Sequence, residues 1–203
     1  MLNLAHTKEK IMNLMEKAIA LFDAYNQQDP RHIEWQGVSY AFEYFYALQL
    51  YNWVRKLEPA ASESLLLASR CQHIGRWKSP RENYPQGKAG YLTWRSELRH
   101  FHSDTAGALM LEAGYNEDAV REVQRIILKD HLKTDHEVQV MEDALCLVFL
   151  QFQYEDFIKN HDETKVIRIL QKSWKKMSPQ GREQALALDY QGTGKGLIDK
   201  ALQ

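Results

Sequence analysis

The sequence predicts an all-α fold, a helical bundle, on three observations. Apolar residues recur at spacings of three and four through most of the chain, the period of a helix with one buried face. The breaks between these runs hold residues that start and stop helices: Ser62, Asn116 and Asp162 ahead of apolar runs, Gly114 and Pro59 behind others. Nowhere does a strand pattern alternate with a helix pattern, so a parallel βαβ architecture is not expected.

The elements follow in order. Ile11, Leu14, Met15, Ala18, Leu21 and Phe22 share one face of a first helix, and DPRH at 29–32 ends it. GVSYAFEYFYALQLYNWVRKL, residues 37–57, predicts a second, aromatic-rich helix; SESLLLASRCQHI, residues 62–74, predicts a third. WKSPRENYPQGKAGY, residues 77–91, is the clearest loop, and its length marks it as a candidate binding element. A fourth helix is expected over about 91–113 and a fifth from Asn116 to about Asp130. A sixth, about 136–159, is apolar on nearly every side, as a central helix is. Asp162 opens a seventh, and 178–203 predicts one or two short helices. The reading is one domain, 1–203, with a core at about 37–159 and a peripheral C-terminal helical extension over 160–203.

Net charge is −1, so nothing global favours nucleic acid or an anionic membrane, and any basic site must be local. Cys71 and Cys146 lie in apolar segments without a CxxC, which fits buried thiols and a reducing cytoplasm rather than a disulfide framework. The N-terminal stretch has charges through its middle and no small-residue cleavage site, unlike a signal peptide. No apolar run approaches the roughly 18 residues of a membrane span.

CQHIGRW, Cys71 to Trp77, contains His-Ile-Gly, close to the HIGH motif of class I aminoacyl-tRNA synthetases, with KKMS at 175–178 as a faint partner. That motif needs a parallel strand before it, and the chain has no such pattern, so a synthetase is not expected. A second resemblance fits an all-α chain. LLLASRCQHIG resembles the L-L-H-D-I-G-like string of HD-domain phosphohydrolases, with the same apolar lead-in and Ile-Gly exit. Gln72 stands where the family has His, and His73 where it has Asp. Glu43, one helix upstream, matches the first ligand position, and Asp143 in MEDALCL matches the last. The resemblance spans Glu43 to Asp143, about half the chain. The chain is also similar to an uncharacterised bacterial family of unknown function, some of whose members are labelled glutamyl-tRNA synthetase.

This resemblance implies one divalent metal ion, Mn, Fe or Zn, held by Glu43, His73, His102 and Asp143. It implies a metal-dependent phosphohydrolase of a small phosphorylated compound, nucleotides included. Arg95, Arg99 and His102 stand at i, i+4 and i+7, so one helix face carries an imidazole and two guanidiniums, a set suited to phosphate. Arg95, Arg99, Lys78 and Arg81 are the candidate substrate-binding residues, and Glu142 or His102 the candidate base toward a water. His100 is a second choice for the role of His102. Glu142 and Asp143 are the only charges from Val138 to Tyr154, so at least one of them must face something polar. Glu43 among aromatics needs one too, and Arg70 or Arg95 would serve in place of a metal. Two alternatives stand beside this reading. One is a non-enzymatic ligand-binding or interaction module that has lost the metal, dimeric through Trp35, Tyr40, Tyr44 and Tyr51. The other is a di-iron oxygenase of the HD-like type.

Overall fold

A computed structural model describes residues 12–132 and 134–203. Helix α1 (Leu14–Asn26) opens with a reciprocal cap: the Asn13 side chain accepts from the Glu16 N–H, and the Glu16 carboxylate accepts from the Asn13 N–H. Ile11, assigned to this helix from its spacing, lies outside the described residues.

The next element corrects the sequence reading. Residues 37–57 are not one helix. His32–Trp35 (β1) and Val38–Ala41 (β2) pair as an antiparallel hairpin around Gln36 and Gly37. Both turn residues have positive φ, 51° and 77°, the geometry that matches the twist of a two-residue hairpin. Trp35 packs on Phe45 and Phe152, which holds the hairpin against the helices. Trp35 is also the one exposed ring among the four aromatics considered for an interface. Helix α2 then begins at Phe42 and runs to Leu57 (Phe42–Leu57).

Helix α3 (Glu63–Cys71) is capped by Ser62, as its sequence predicts. The chain then turns through 72–75 and leaves at Gly75, whose φ is 69°. A Cβ there would stand 2.8 Å from the Tyr25 ring and 2.9 Å from the Phe101 ring. Backbone conformation and close packing therefore require the glycine of the His-Ile-Gly string. The following loop holds two short 3₁₀ turns, and α4 (Gly87–Ala113) starts four residues earlier than expected, inside the stretch read as loop, and ends at Gly114 as expected. Asn116 caps α5 (Glu117–Leu128) and Asp135 caps α6 (His136–Phe152). The expected long sixth helix breaks at Gln153, and α7 (Tyr154–Lys159) follows. Asp162 caps α8 (Glu163–Lys176), and α9 (Pro179–Leu186) and α10 (Gly192–Leu202) complete the chain.

The architecture is all-α apart from the hairpin. Helix α2 packs on α3 and α6, α4 on α1 and α5, and α3 on α5. The last helices are less peripheral than expected: α9 lies on α6 and α10 on α8, and Leu170, Met177, Ala185, Leu197 and Ala201 join the same buried cluster as Phe22, Phe45 and Met141. No helix among the described residues is long and apolar enough to cross a membrane.

Candidate functional site

The turn after α3 faces the middle of α4 and the ends of α5 and α8. Between them lies a cleft of about 370 Å³, within the size range of small-molecule sites. The turn contributes Gln72, His73 and Arg76; α4 contributes Arg95, Arg99 and His102; Lys129 and Lys176 come from the ends of α5 and α8. The helical spacing of Arg95, Arg99 and His102 does place all three on one wall. Among the described residues, no carboxylate lines this cleft. A second cleft of about 630 Å³ shares His73 and Arg76 with the first. It holds Arg31 and Glu43 and has an aromatic wall of Phe42, Tyr46, Phe149 and Phe157.

His102 is 3% exposed, and its Nδ1 lies 2.7 Å from the Ile74 carbonyl oxygen. A carbonyl can only accept, so Nδ1 carries the proton and Nε2 the lone pair. Nε2 has no hydrogen-bond partner among the described residues. Burial lowers the His102 pKa to about 4; the Ile74 bond opposes the shift, and the Arg76 and Arg95 charges add to it. His73 stands beside it, ring centroids 5.7 Å apart, and burial followed by the Arg76 charge holds it well below the usual histidine range.

Both imidazoles are therefore neutral in the folded protein near neutral pH, whereas an unfolded histidine titrates near 6.5. A depressed folded pKa gives stability that is complete above about 6.5 and lost as the pH falls toward about 4. For His102 alone this is worth up to about 3 kcal/mol. Glu43 works the other way, since burial raises its carboxyl and favours the folded state as pH falls. Urea unfolding at about pH 7.5 and about pH 5 is expected to show the parent losing stability and His102→Phe losing less. Equal losses in both would contradict the assignment.

Arg76 lies over the Trp94 ring at 5.5 Å, and its guanidinium makes no hydrogen bond among the described residues. Arg95 is exposed, with Nη1 3.5 Å from the Tyr91 hydroxyl. Arg99 donates to the Leu128 carbonyl, closing the end of α5. Lys129 and Lys176 both pair with Glu142, which is 3% exposed. Burial would raise the Glu142 carboxyl, but Lys129 and then Lys176 bring it below its ordinary value.

Other residues singled out from the sequence stand elsewhere. Glu43 accepts from Arg31 Nη2 at 3.0 Å, and its backbone N–H donates to Asp29, which also pairs with Arg31. Its partner is therefore Arg31, not Arg70 or Arg95; Arg70 pairs with Asp23. Asp143 is buried outside both clefts. It accepts from the Ser178 N–H at 2.8 Å, from the Ser178 hydroxyl, and from Gln139 Nε2 at 3.0 Å. Glu142 neutralises two lysines and lines neither cleft. Lys78 sits over the Tyr25 ring at 4.4 Å, and Arg81 donates to the carbonyls of Tyr84 and Pro85. Those two basic residues hold the loop in shape and line neither cleft. Cys71 and Cys146 are buried thiols whose pKa burial pushes up, so neither is a ready nucleophile.

A divalent metal needs several convergent donors. Among the described residues no three His, Cys, Asp or Glu side chains come together in a way that could hold one. Glu43 and Asp143 are committed to Arg31 and Ser178, which leaves His73 and His102 without a carboxylate. This donor set does not fit the metal that the HD-like resemblance implies.

Sequence reasoning missed Arg76, Lys129, Lys176 and Arg31. Arg76 had a signal, since it directly follows the glycine-led turn. Lys129 and Lys176 are brought to the cleft by helix ends distant in sequence, and no local pattern marks them.

No curated protein and no solved structure matches the chain. One family model does, described as "Domain of unknown function (DUF4202)", over residues 16–198. That span takes in α2 through α9 and every residue that lines the basic cleft. The chain belongs to this family of unknown function.

Proposed function

We propose that this protein binds a small phosphorylated compound in the cleft between α4 and the turn after α3. One observation carries the reading: among the described residues, five cationic side chains and no carboxylate line a cleft in a chain of net charge −1. Lys129 and Lys176 are partly balanced by Glu142, so Arg76, Arg95 and Arg99 supply most of the field. Guanidinium forks match phosphate oxygens two at a time, and a dianion suits several guanidiniums better than a single carboxylate would. The second cleft meets the first at His73 and Arg76, and its aromatic wall offers a place for the remainder of the ligand, such as a nucleotide base. The HD-like string at 65–75 supports the same class of ligand.

Hydrolysis is the second reading, and His102 favours it. Its tautomer is fixed with the lone pair on Nε2, as a general base requires. The metal-dependent form of that reading has less support, because its carboxylates are engaged elsewhere. The two buried thiols are at ease in a reducing compartment such as the cytoplasm.

Titration calorimetry with inorganic phosphate is expected to give saturable binding that weakens as salt is raised. No binding at low salt would sink the proposal. Elemental analysis of protein purified without a His-tag is expected to find no stoichiometric Mn, Fe or Zn. About one metal per chain, lost in His73→Ala, would return the metal-dependent hydrolase to first place.

A further inference from the structure

Two residues that line the basic cleft have buried acceptor atoms with no donor among the described residues: His102 Nε2 and Gln72 Oε1. Both side chains are more than nine-tenths buried. Neither can change its role. His102 has its proton on Nδ1, donated to the Ile74 carbonyl. Gln72 donates its amide nitrogen to the Ile127 carbonyl at 3.2 Å, and turning the amide over would set two oxygens against each other. Buried acceptors are rarely left without a partner. Several of the cleft's own cations are engaged elsewhere: Arg99 donates to Leu128, and Lys129 and Lys176 donate to Glu142.

A bound phosphate does not supply the missing donors. Fully ionised, it only accepts, so it satisfies the guanidiniums and leaves both acceptors as they were. Another part of the ligand has to donate. An ammonium group is disfavoured beside three guanidiniums, which leaves neutral donors.

We propose that His102 Nε2 and Gln72 Oε1 read hydroxyl groups on the ligand, so that the cleft selects the phosphate monoester of a polyol or sugar over a plain alkyl phosphate. The inference rests on the phosphate-binding reading of the cleft. Each acceptor lies within the wall, so a slender O–H group suits it better than a bulky substituent. A site built to bond hydroxyls rejects an analogue lacking them more strongly than an apolar pocket rejects an extra hydroxyl.

The test compares glycerol 3-phosphate with propyl phosphate, which has the same chain and phosphate but no hydroxyls, by calorimetry on the full chain. Glycerol 3-phosphate is expected to bind about tenfold more tightly or better. His102→Phe should reduce that ratio toward one while inorganic phosphate still binds. Gln72→Met provides the same check through the other acceptor, and circular dichroism establishes that each variant is folded. If a variant unfolds, the comparison of the two esters on the parent still decides. Equal affinity of the parent for the two esters overturns the inference and leaves the phosphate-binding reading standing. Failure of inorganic phosphate and both esters to bind removes that reading and the inference with it.

Discussion

Arg76→Ala is expected to weaken inorganic phosphate binding by about 10- to 100-fold, the largest binding effect of any single change in the cleft. The other two arginines already have partners, Tyr91 for Arg95 and the Leu128 carbonyl for Arg99. Arg76 lies over the Trp94 ring and feels the Glu43 carboxylate only through space, so its hydrogen-bond donors are uncommitted among the described residues, and it alone among the arginines lines both clefts with His73. The stability effect should be small, about 1 kcal/mol, because what is lost is one cation–π contact and a through-space attraction to Glu43, with no hydrogen bond between the two. Arg76→Lys should recover part of the affinity, since the charge returns without the fork. Calorimetry with phosphate decides, and unchanged affinity in Arg76→Ala would remove this residue from the site.

Asp143→Ala is expected to destabilise the fold by about 3 kcal/mol, while phosphate binding survives wherever the protein remains folded. The carboxylate is 2% exposed and accepts three hydrogen bonds, two of them from Ser178. Ser178 in turn caps α9 by accepting from the Gly181 N–H at 3.1 Å. Space there is tight: a Cβ at Gly181 would meet Asp143 Cγ at 2.6 Å. Removing the carboxylate takes the acceptor from the part-buried Ser178 N–H and hydroxyl, while Gln139 keeps the Lys176 carbonyl, and it loosens the cap of α9. Asp143→Asn keeps the shape and one acceptor oxygen, so a smaller loss is expected. Urea unfolding measures both. If Asp143 were a metal ligand instead, Asp143→Ala would lose metal with little change in the unfolding midpoint.

The sequence was most informative where structure is local. Ser62, Asn116 and Asp162 cap the helices they precede, and Gly114 ends α4 in a left-handed conformation. These features act over three or four residues, so a linear reading finds them. The same holds for the α4 face that brings Arg95, Arg99 and His102 to one cleft. The hairpin was missed because its strands are only four residues each and run straight into an aromatic helix. Gly37 between two alternating runs was the available signal. The partners of the buried carboxylates were less legible. Arg31 precedes Glu43 by 12 residues, and Ser178 follows Asp143 by 35, distances at which only the fold decides who meets whom. The sequence reading required a partner for Glu43 and for at least one of Glu142 and Asp143. For Glu43 and Asp143 a basic or hydroxyl side chain supplies what the resemblance assigned to a metal.

Glu142 and Asp143 are neighbours on α6, and between them they grip both sides of the α8–α9 junction: Glu142 holds Lys176, and Asp143 holds Ser178. Lys176 is also part of the cleft wall. A ligand that draws on Lys176 therefore pulls on the same short segment that seats the C-terminal helices. Occupancy and seating are then thermodynamically linked, each shifting the other by the same free energy. A fragment ending near residue 159 would lose Lys176 from the cleft along with its last helices. On the phosphate-binding proposal the C-terminal quarter of the chain is thus a component of the site, and the smallest unit expected to bind phosphate extends beyond residues 43–143.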